Sequence, residues 1–436
     1  SLQFLSHANN FEFINTTLMG HPLVSNDYGK IKSQNQQLDM SYTLSPHTNY
    51  SFSYWASQQD REVPQNMTTP FSDAKQYDKA KRALLSLNHK VNHFSIILKQ
   101  AYLQEDFRYT EILKNINSHY LAESYISDAD VKLIKGNYLF NLGGAFTANN
   151  LANNNYVSMG KQERSLAAFS ALQYRSDFLA FNTVLRKEWQ TTFEVPIMPT
   201  LAFEAQLSSA IKFRLKYNRN FRSPTFNDRF WAGAGANGNP DLTPEDAWNK
   251  ELGFDVSTKL IRFSLTAYTL NISDMILWQQ MENGNWIPNN IKQVWSRGVE
   301  AKAKFKIKEL SIAGNYAFTK STNELATNPL DNTVGEQLRY VPLHKGNISF
   351  TLTKDNLQYS LNTSYTGEVI TSHSSLNNNM LDGFTLTDIA IKYTLEKLPI
   401  TLVGKVKNLL DKSYTTYQNY PNPGRELLLT INYTIN

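Results

Sequence analysis

Apolar residues recur at every second position through most of this chain. Ile211, Phe213, Leu215 and Tyr217 alternate with Lys212, Arg214, Lys216 and Asn218. Val299, Ala301, Ala303 and Phe305 alternate with Glu300, Lys302, Lys304 and Lys306. The last stretch repeats the pattern with Leu427, Leu429, Ile431, Tyr433 and Ile435. A period of two puts one kind of side chain on each face of a strand. Helical periodicity is scarce, and "DAKQYDKAKRA" at 73–83 is the best candidate for a short helical turn.

The connections between these segments alternate in length. Tight turns fall at "LSPH", "RSDF", "LSS", "STKL", "KIKE", "TKDN" and "EKLP". Long loops fall near 219–246, 276–295, 320–337, 367–382 and 411–424, with the short "EVPIMP" as an exception. Long and short connections at opposite ends describe an up-and-down antiparallel sheet. The count comes to roughly twenty strands, and so many strands cannot stay flat with raw edges. Closing into a barrel removes the edges.

A barrel of that width encloses a lumen. The face carrying Lys, Arg, Asn, Thr and Glu belongs inside, and the Leu, Ile, Val, Phe and Tyr face belongs outside. That polarity suits lipid, because every backbone group in hydrocarbon must be paired and only helices and closed barrels achieve this. Mean hydropathy is −0.44. No run of about 20 apolar residues is present, so a membrane-spanning helix is excluded, although a spanning strand needs only about ten residues. The 23 Tyr and 24 Phe read as interfacial girdles. The expected fold is therefore an all-β transmembrane up-and-down barrel over 1–436, with tight turns periplasmic and long loops extracellular. Soluble sandwiches, β-helices and propellers also use alternating strands, but a propeller would repeat every 40 residues or so, and no such repeat is visible.

Several stretches resemble the barrel half of TonB-dependent outer-membrane receptors of the cobalamin/siderophore type. They are, in order, "NNFEFINT" (9–16, similar to an early barrel hairpin), "FRSPTFNDRFW" (221–231), "NPDLTPE" (239–245), "ELG" (251–253), "SRGVE" (296–300), "RYVPLHKGNISF" (339–350) and the terminal "VKNLLDKSYTTYQNYPNPGRELLLTINYTIN". The ordered set carries the resemblance. It implies uptake of a large, scarce nutrient across the outer membrane of a Gram-negative bacterium. A plug would block the lumen, and the TonB complex would supply the work. Members of the family have 22 strands and an N-terminal plug, so the chain reads as a barrel without the plug and about the first two strands. The family also usually ends on an aromatic residue; here Ile435 holds that phase and Asn436 follows it.

Candidate ligand contacts are the large aromatics in the long loops, Trp231, Trp278, Trp286, Tyr417 and Tyr420, whose faces suit a metal chelate or corrinoid. The competing reading makes them girdle residues at the outer interface. Lys212, Arg214, Lys216, Glu300, Lys302 and Lys304 are candidates for the lumen wall. The basic rows Lys212/Arg214/Lys216 and Lys302/Lys304/Lys306 either contact a plug, line the wall, or draw anions by focusing the field. Glu245, Glu251 and Glu300 read as partners of lumen Arg and Lys. There is no Cys, hence no disulfide and no thiolate metal site. The eight His are scattered, and no nucleophile elbow, HExxH or phosphate loop occurs, so neither catalysis, a cofactor nor a metal is expected. Net charge is +5 without a Lys/Arg block, which argues against nucleic acid. The alternatives to a receptor are a passive porin-like channel and, further off, an outer-membrane enzyme.

Overall fold

In the computed structural model the chain forms one long antiparallel wall. The structure describes all residues apart from 1, 9, 70, 157–159, 234, 282–283, 327–328, 330, 373–379 and 434–436; Ile435 and Asn436 therefore lie outside the described residues. The main sheet has 22 strands, of which Ala232–Gly233 and Ala236–Asn237 are two-residue pieces within one loop. Twenty cross the wall. The first ten are β1 (Leu2–Ala8), β2 (Lys30–Ser45), β3 (Thr48–Glu62), β4 (Lys75–Val91), β5 (Phe94–Glu111), β6 (Ile116–Lys135), β7 (Tyr138–Asn153), β8 (Gly160–Arg175), β9 (Leu179–Gln190) and β10 (Met198–Gln206). The rest are β11 (Ile211–Arg222), β12 (Glu245–Ser257), β13 (Ile261–Gln280), β14 (Trp286–Ile307), β15 (Leu310–Asn323), β16 (His344–Lys354), β17 (Leu357–Thr366), β18 (Phe384–Thr394), β19 (Ile400–Lys407) and β20 (Glu426–Tyr433). Each pairs antiparallel with its neighbour in sequence, as an up-and-down barrel wall requires.

Register fixes which side chains share a face. Leu215 pairs with Leu252, Leu252 with Ala267, Ala267 with Val299 and Val299 with Phe318. This apolar row faces outward. The opposite phase carries Lys216, Glu251, Tyr268 and Gly298 in one row, and Arg214, Gly253, Thr266 and Glu300 in the next. Exposed large apolar side chains are found on nearly every strand, and an exposed apolar surface of that extent marks contact with something other than water.

Leu427 and Leu429 on β20 are each 75% exposed, against 36% for Val299 on β14. On β20 these side chains have a described neighbouring strand on one side only. Among the described residues β20 pairs only with β19 and β1 only with β2.

Three local expectations change. From Lys75 on, the stretch 73–83 is the start of β4, with Tyr77 and Ala83 in the phase that Leu85 continues; its Lys and Asp residues give a false helical reading. "NNFEFINT" does not supply a barrel hairpin. Phe11–Ile14 pairs with Leu23–Asn26 in a separate two-stranded sheet, within the connection from β1 to β2. Finally, 276–295 is mostly strand. β13 runs on to Gln280 and β14 begins at Trp286. The ladder slips near Met275, and Asp274 takes φ +56°, where the hairpin leaves the wall.

Candidate functional site

The lumen wall is built first by alternation and then by ion pairing. Arg214 donates to Asp255 through Nε at 2.7 Å and Nη2 at 3.0 Å, and Nη2 also reaches Ser264 at 3.1 Å. Lys216 lies 3.6 Å from Glu251, Lys212 lies 3.3 Å from Glu204, and Lys302 lies 3.8 Å from Glu300. All six residues expected on the lumen wall share one phase, opposite to the exposed apolar row. Lys304 and Arg262, the second of which sequence reasoning leaves unmarked, face a cavity of about 600 Å³ together with Lys212, Lys302 and Asn315.

Two glycines of the family-like motifs have a packing reason. A Cβ on Gly253 would stand 2.7 Å from the Arg214 guanidinium, and one on Gly298 would stand 2.1 Å from the Phe318 carbonyl and 2.8 Å from the Tyr268 hydroxyl. Gly253 thus lets Arg214 lie flat along the wall toward Asp255. Gly253→Leu is expected to displace that guanidinium and cost about 1.5–3 kcal/mol, the worth of hydrogen bonds to a charged group. Chemical unfolding of the barrel in micelles checks this.

The long connections at the other end form two separate aromatic groups. The first surrounds the five-residue helix Phe226–Phe230. Thr225 caps it: the Asp228 amide donates to the Thr225 hydroxyl, and the Thr225 amide donates to the Asp228 carboxylate, a reciprocal capping box. Trp278 reaches over from β13, and its Nε1 donates to Asp228 at 2.9 Å. The Arg229 guanidinium is buried against the rings of Phe193, Phe226 and Phe230, at 4.7–5.3 Å from their centroids, and meets Glu163 at 3.3 Å. Burial pushes its pKa down while Glu163 pulls it up. Tyr156 bridges to Trp231 and donates to Asn227 at 2.6 Å. Trp231 and Trp278 are thus tied into loop packing, while Trp286 sits at the start of β14 beside Ala236.

The second group joins connections that are remote in sequence. Tyr340 and Tyr417 stack with centroids 4.6 Å apart and planes only 8° apart, and Tyr420 meets Tyr417 edge-on at 5.5 Å. The Tyr340 backbone is left-handed at φ +59° and its amide donates to Ile370. Burial, then the neighbouring Tyr417, raises the Tyr340 hydroxyl pKa above its ordinary value. The Met67 amide donates to the Asn419 carbonyl at 2.7 Å, and Asn15 Nδ2 donates to the Met67 carbonyl. Connections following β1, β3, β15, β17 and β19 therefore meet around this stack. Sequence reasoning singles out Tyr417 and Tyr420 but not Tyr340; the residue before "VPLHKGN" carries no local signal that its ring would stack.

Among the described residues no three His, Asp or Glu side chains gather as metal ligands. The family model for the TonB dependent receptor-like β-barrel matches residues 6–409. The chain belongs to the TonB-dependent receptor family. Among curated proteins, the vitamin B12 transporter BtuB of Photobacterium profundum is 28% identical over 239 residues, covering 53% of this chain and 37% of that protein. BtuB of Vibrio vulnificus is 25% identical over 285 residues, covering 64% of this chain and 44% of that protein. The aligned part thus spans less than half the length of these relatives. Among solved structures, the FrpB iron transporter from Neisseria meningitidis superposes with a TM-score of 0.78 at 12% identity, covering 99% of this chain and 76% of that one. The siderophore receptor PirA from Acinetobacter baumannii gives 0.75 at 13%, covering 93% and 71%. At these identities the receptors share the fold with this chain.

Proposed function

We propose that this TonB-dependent receptor barrel takes up a bulky, scarce nutrient, a cobalamin or a ferric siderophore, across the outer membrane of a Gram-negative bacterium. Family membership supports the location and the transport role. The vitamin B12 transporters among its relatives support the corrinoid. In this reading a plug fills the lumen against the inward Lys, Arg and Glu rows, and the TonB complex supplies the work that displaces it. No step requires catalysis.

The observation that carries the cargo reading is the tyrosine stack Tyr340–Tyr417–Tyr420. It offers broad aromatic faces with polar edges on the side of the long connections, with Tyr417 and Tyr420 both exposed. Such faces suit a large, partly apolar ring system or a catecholate chelate.

Equilibrium binding of cyanocobalamin, and separately of a ferric catecholate siderophore, to the full-length receptor tests this. One of the two is expected to bind, and Tyr417→Ala is expected to weaken it at least tenfold, about 1.4 kcal/mol. Unchanged binding by the variant would move the cargo off this stack. A constitutively open pore in planar bilayers would instead favour a passive channel and sink the receptor reading.

A further inference from the structure

We propose that the outward face of β11–β15 holds a phosphorylated, acylated lipid of the outer leaflet. Lys250 pairs with Thr269, Thr269 with Arg297 and Arg297 with Lys320, so all four stand in one row across adjacent strands. The row shares the phase of Leu252, Val299 and Phe318, which lie one outward position nearer the tight turns. Its cations therefore point toward lipid.

The height of Arg297 fits headgroups. Below Arg297 the outward residues of β14 are Val299, Ala301, Ala303, Phe305 and Ile307, with no interruption. Nine residues at a strand rise of about 3.3 Å, tilted by about 40°, cover roughly 20 Å of a belt about 25 Å tall. The next outward position up is the edge of the hydrocarbon, on the side of the long connections. Trp248 and Trp295, one position higher still, are the aromatics expected at such an interface.

The charges of the row are not neutralised by the protein. Arg219, one outward position above Tyr217, is held by both oxygens of Asp246 at 2.7 and 2.8 Å. Among the described residues Lys250 has only the Tyr217 ring, at 5.9 Å. Arg297 lies 3.8 Å above the Trp295 ring and donates to the Thr322 hydroxyl at 2.9 Å, with no carboxylate partner among the described residues. Lys320 is exposed, and no described carboxylate pairs with it. Three strand spacings of about 4.8 Å separate Lys250 from Lys320, a span of roughly 14 Å that can meet more than one phosphate. Phosphate oxygens would complete these donors with charge-assisted hydrogen bonds.

A groove lies directly beneath. About 470 Å³ of open trough is lined by the outward Leu215, Tyr217, Leu252, Ala267 and Thr269 with Lys250, and by Lys216, Glu251 and Tyr268 of the opposite phase. Ala267, standing between Leu252 and Val299, leaves the hollow. Cations above an apolar trough match a headgroup above an acyl chain. A free phosphate ion would use only the upper half.

The inference rests on the barrel standing in the outer membrane, which cell fractionation tests separately. Its own test is native mass spectrometry of the detergent-solubilised protein, with bisphosphorylated lipid A, its dephosphorylated form and inorganic phosphate as probes. The wild type is expected to retain lipid A at least tenfold more tightly than the dephosphorylated form and to retain no phosphate ion. Lys250→Gln/Arg297→Gln/Lys320→Gln is expected to lose that preference, with its fold verified by heat-modifiable gel migration. Equal retention of the two lipids by the wild type overturns the proposal, and this comparison decides even where the triple variant does not fold. Undiminished preference in a folded triple variant overturns it as well, and retention of phosphate alone reduces the row to a plain anion site and overturns it.

Discussion

Leu361→Arg is expected to destabilise the barrel by about 2–4 kcal/mol, and Ser360→Arg, one residue away, by less than about 0.5 kcal/mol. Leu361 stands mid-belt between Phe350 and Ile389, whereas Ser360 faces inward between Thr351 and Ala390. A guanidinium among acyl chains must drag water or headgroups down to it, or stay desolvated. On the lumen face it remains in water. Reversible unfolding in lipid vesicles, followed by tryptophan fluorescence, measures both. Equal costs, or a larger cost at Ser360, would reverse the assignment of faces and remove the basis for a transmembrane barrel.

Arg229→Met is expected to give the second large effect, and a local one. Arg229 is 3% exposed, ringed by three phenylalanines and paired with Glu163, itself mostly buried. Met roughly preserves the volume but leaves the Glu163 carboxylate buried without its cation, a loss of about 3–5 kcal/mol. The capped helix and the Trp278–Asp228 contact that it supports should loosen together. Hydrogen exchange at the amides of 225–239 should then speed up by about two orders of magnitude or more, since each 1.4 kcal/mol is roughly tenfold, while the ladder of β11 with β12 stays protected. Unchanged exchange in the loop would show that the Arg229 cage does not hold it.

Much of the wall was legible because alternation is local. Each strand states its own phase, so the common phase of Lys212, Arg214, Lys216, Glu300, Lys302 and Lys304, opposite to the apolar row, needed no partner strand to predict. The same logic failed where a segment mixes charge with alternation. The lysines at 75, 79 and 81 blurred the start of β4 into a helical pattern. It also failed where a hairpin continues above the membrane, because β13 and β14 beyond Met275 no longer need an oily face to remain paired. The loop aromatics were found as types and not as groups. Trp278 proved to be a hydrogen-bond partner of Asp228, and Tyr417 acquired Tyr340 as its stacking partner from a connection 77 positions away in the numbering.

By itself the sequence determined the period, the polarity of the two faces, the order of the strands and the end at which the long connections lie. The tertiary structure alone decided which residues of different strands stand level, and so which cations form one row and which tyrosines stack. The reason is that a strand's alternation depends only on its own residues. Lateral neighbourhood depends on the register of every ladder in between, and one slipped pair along that series would turn each later match to the opposite face.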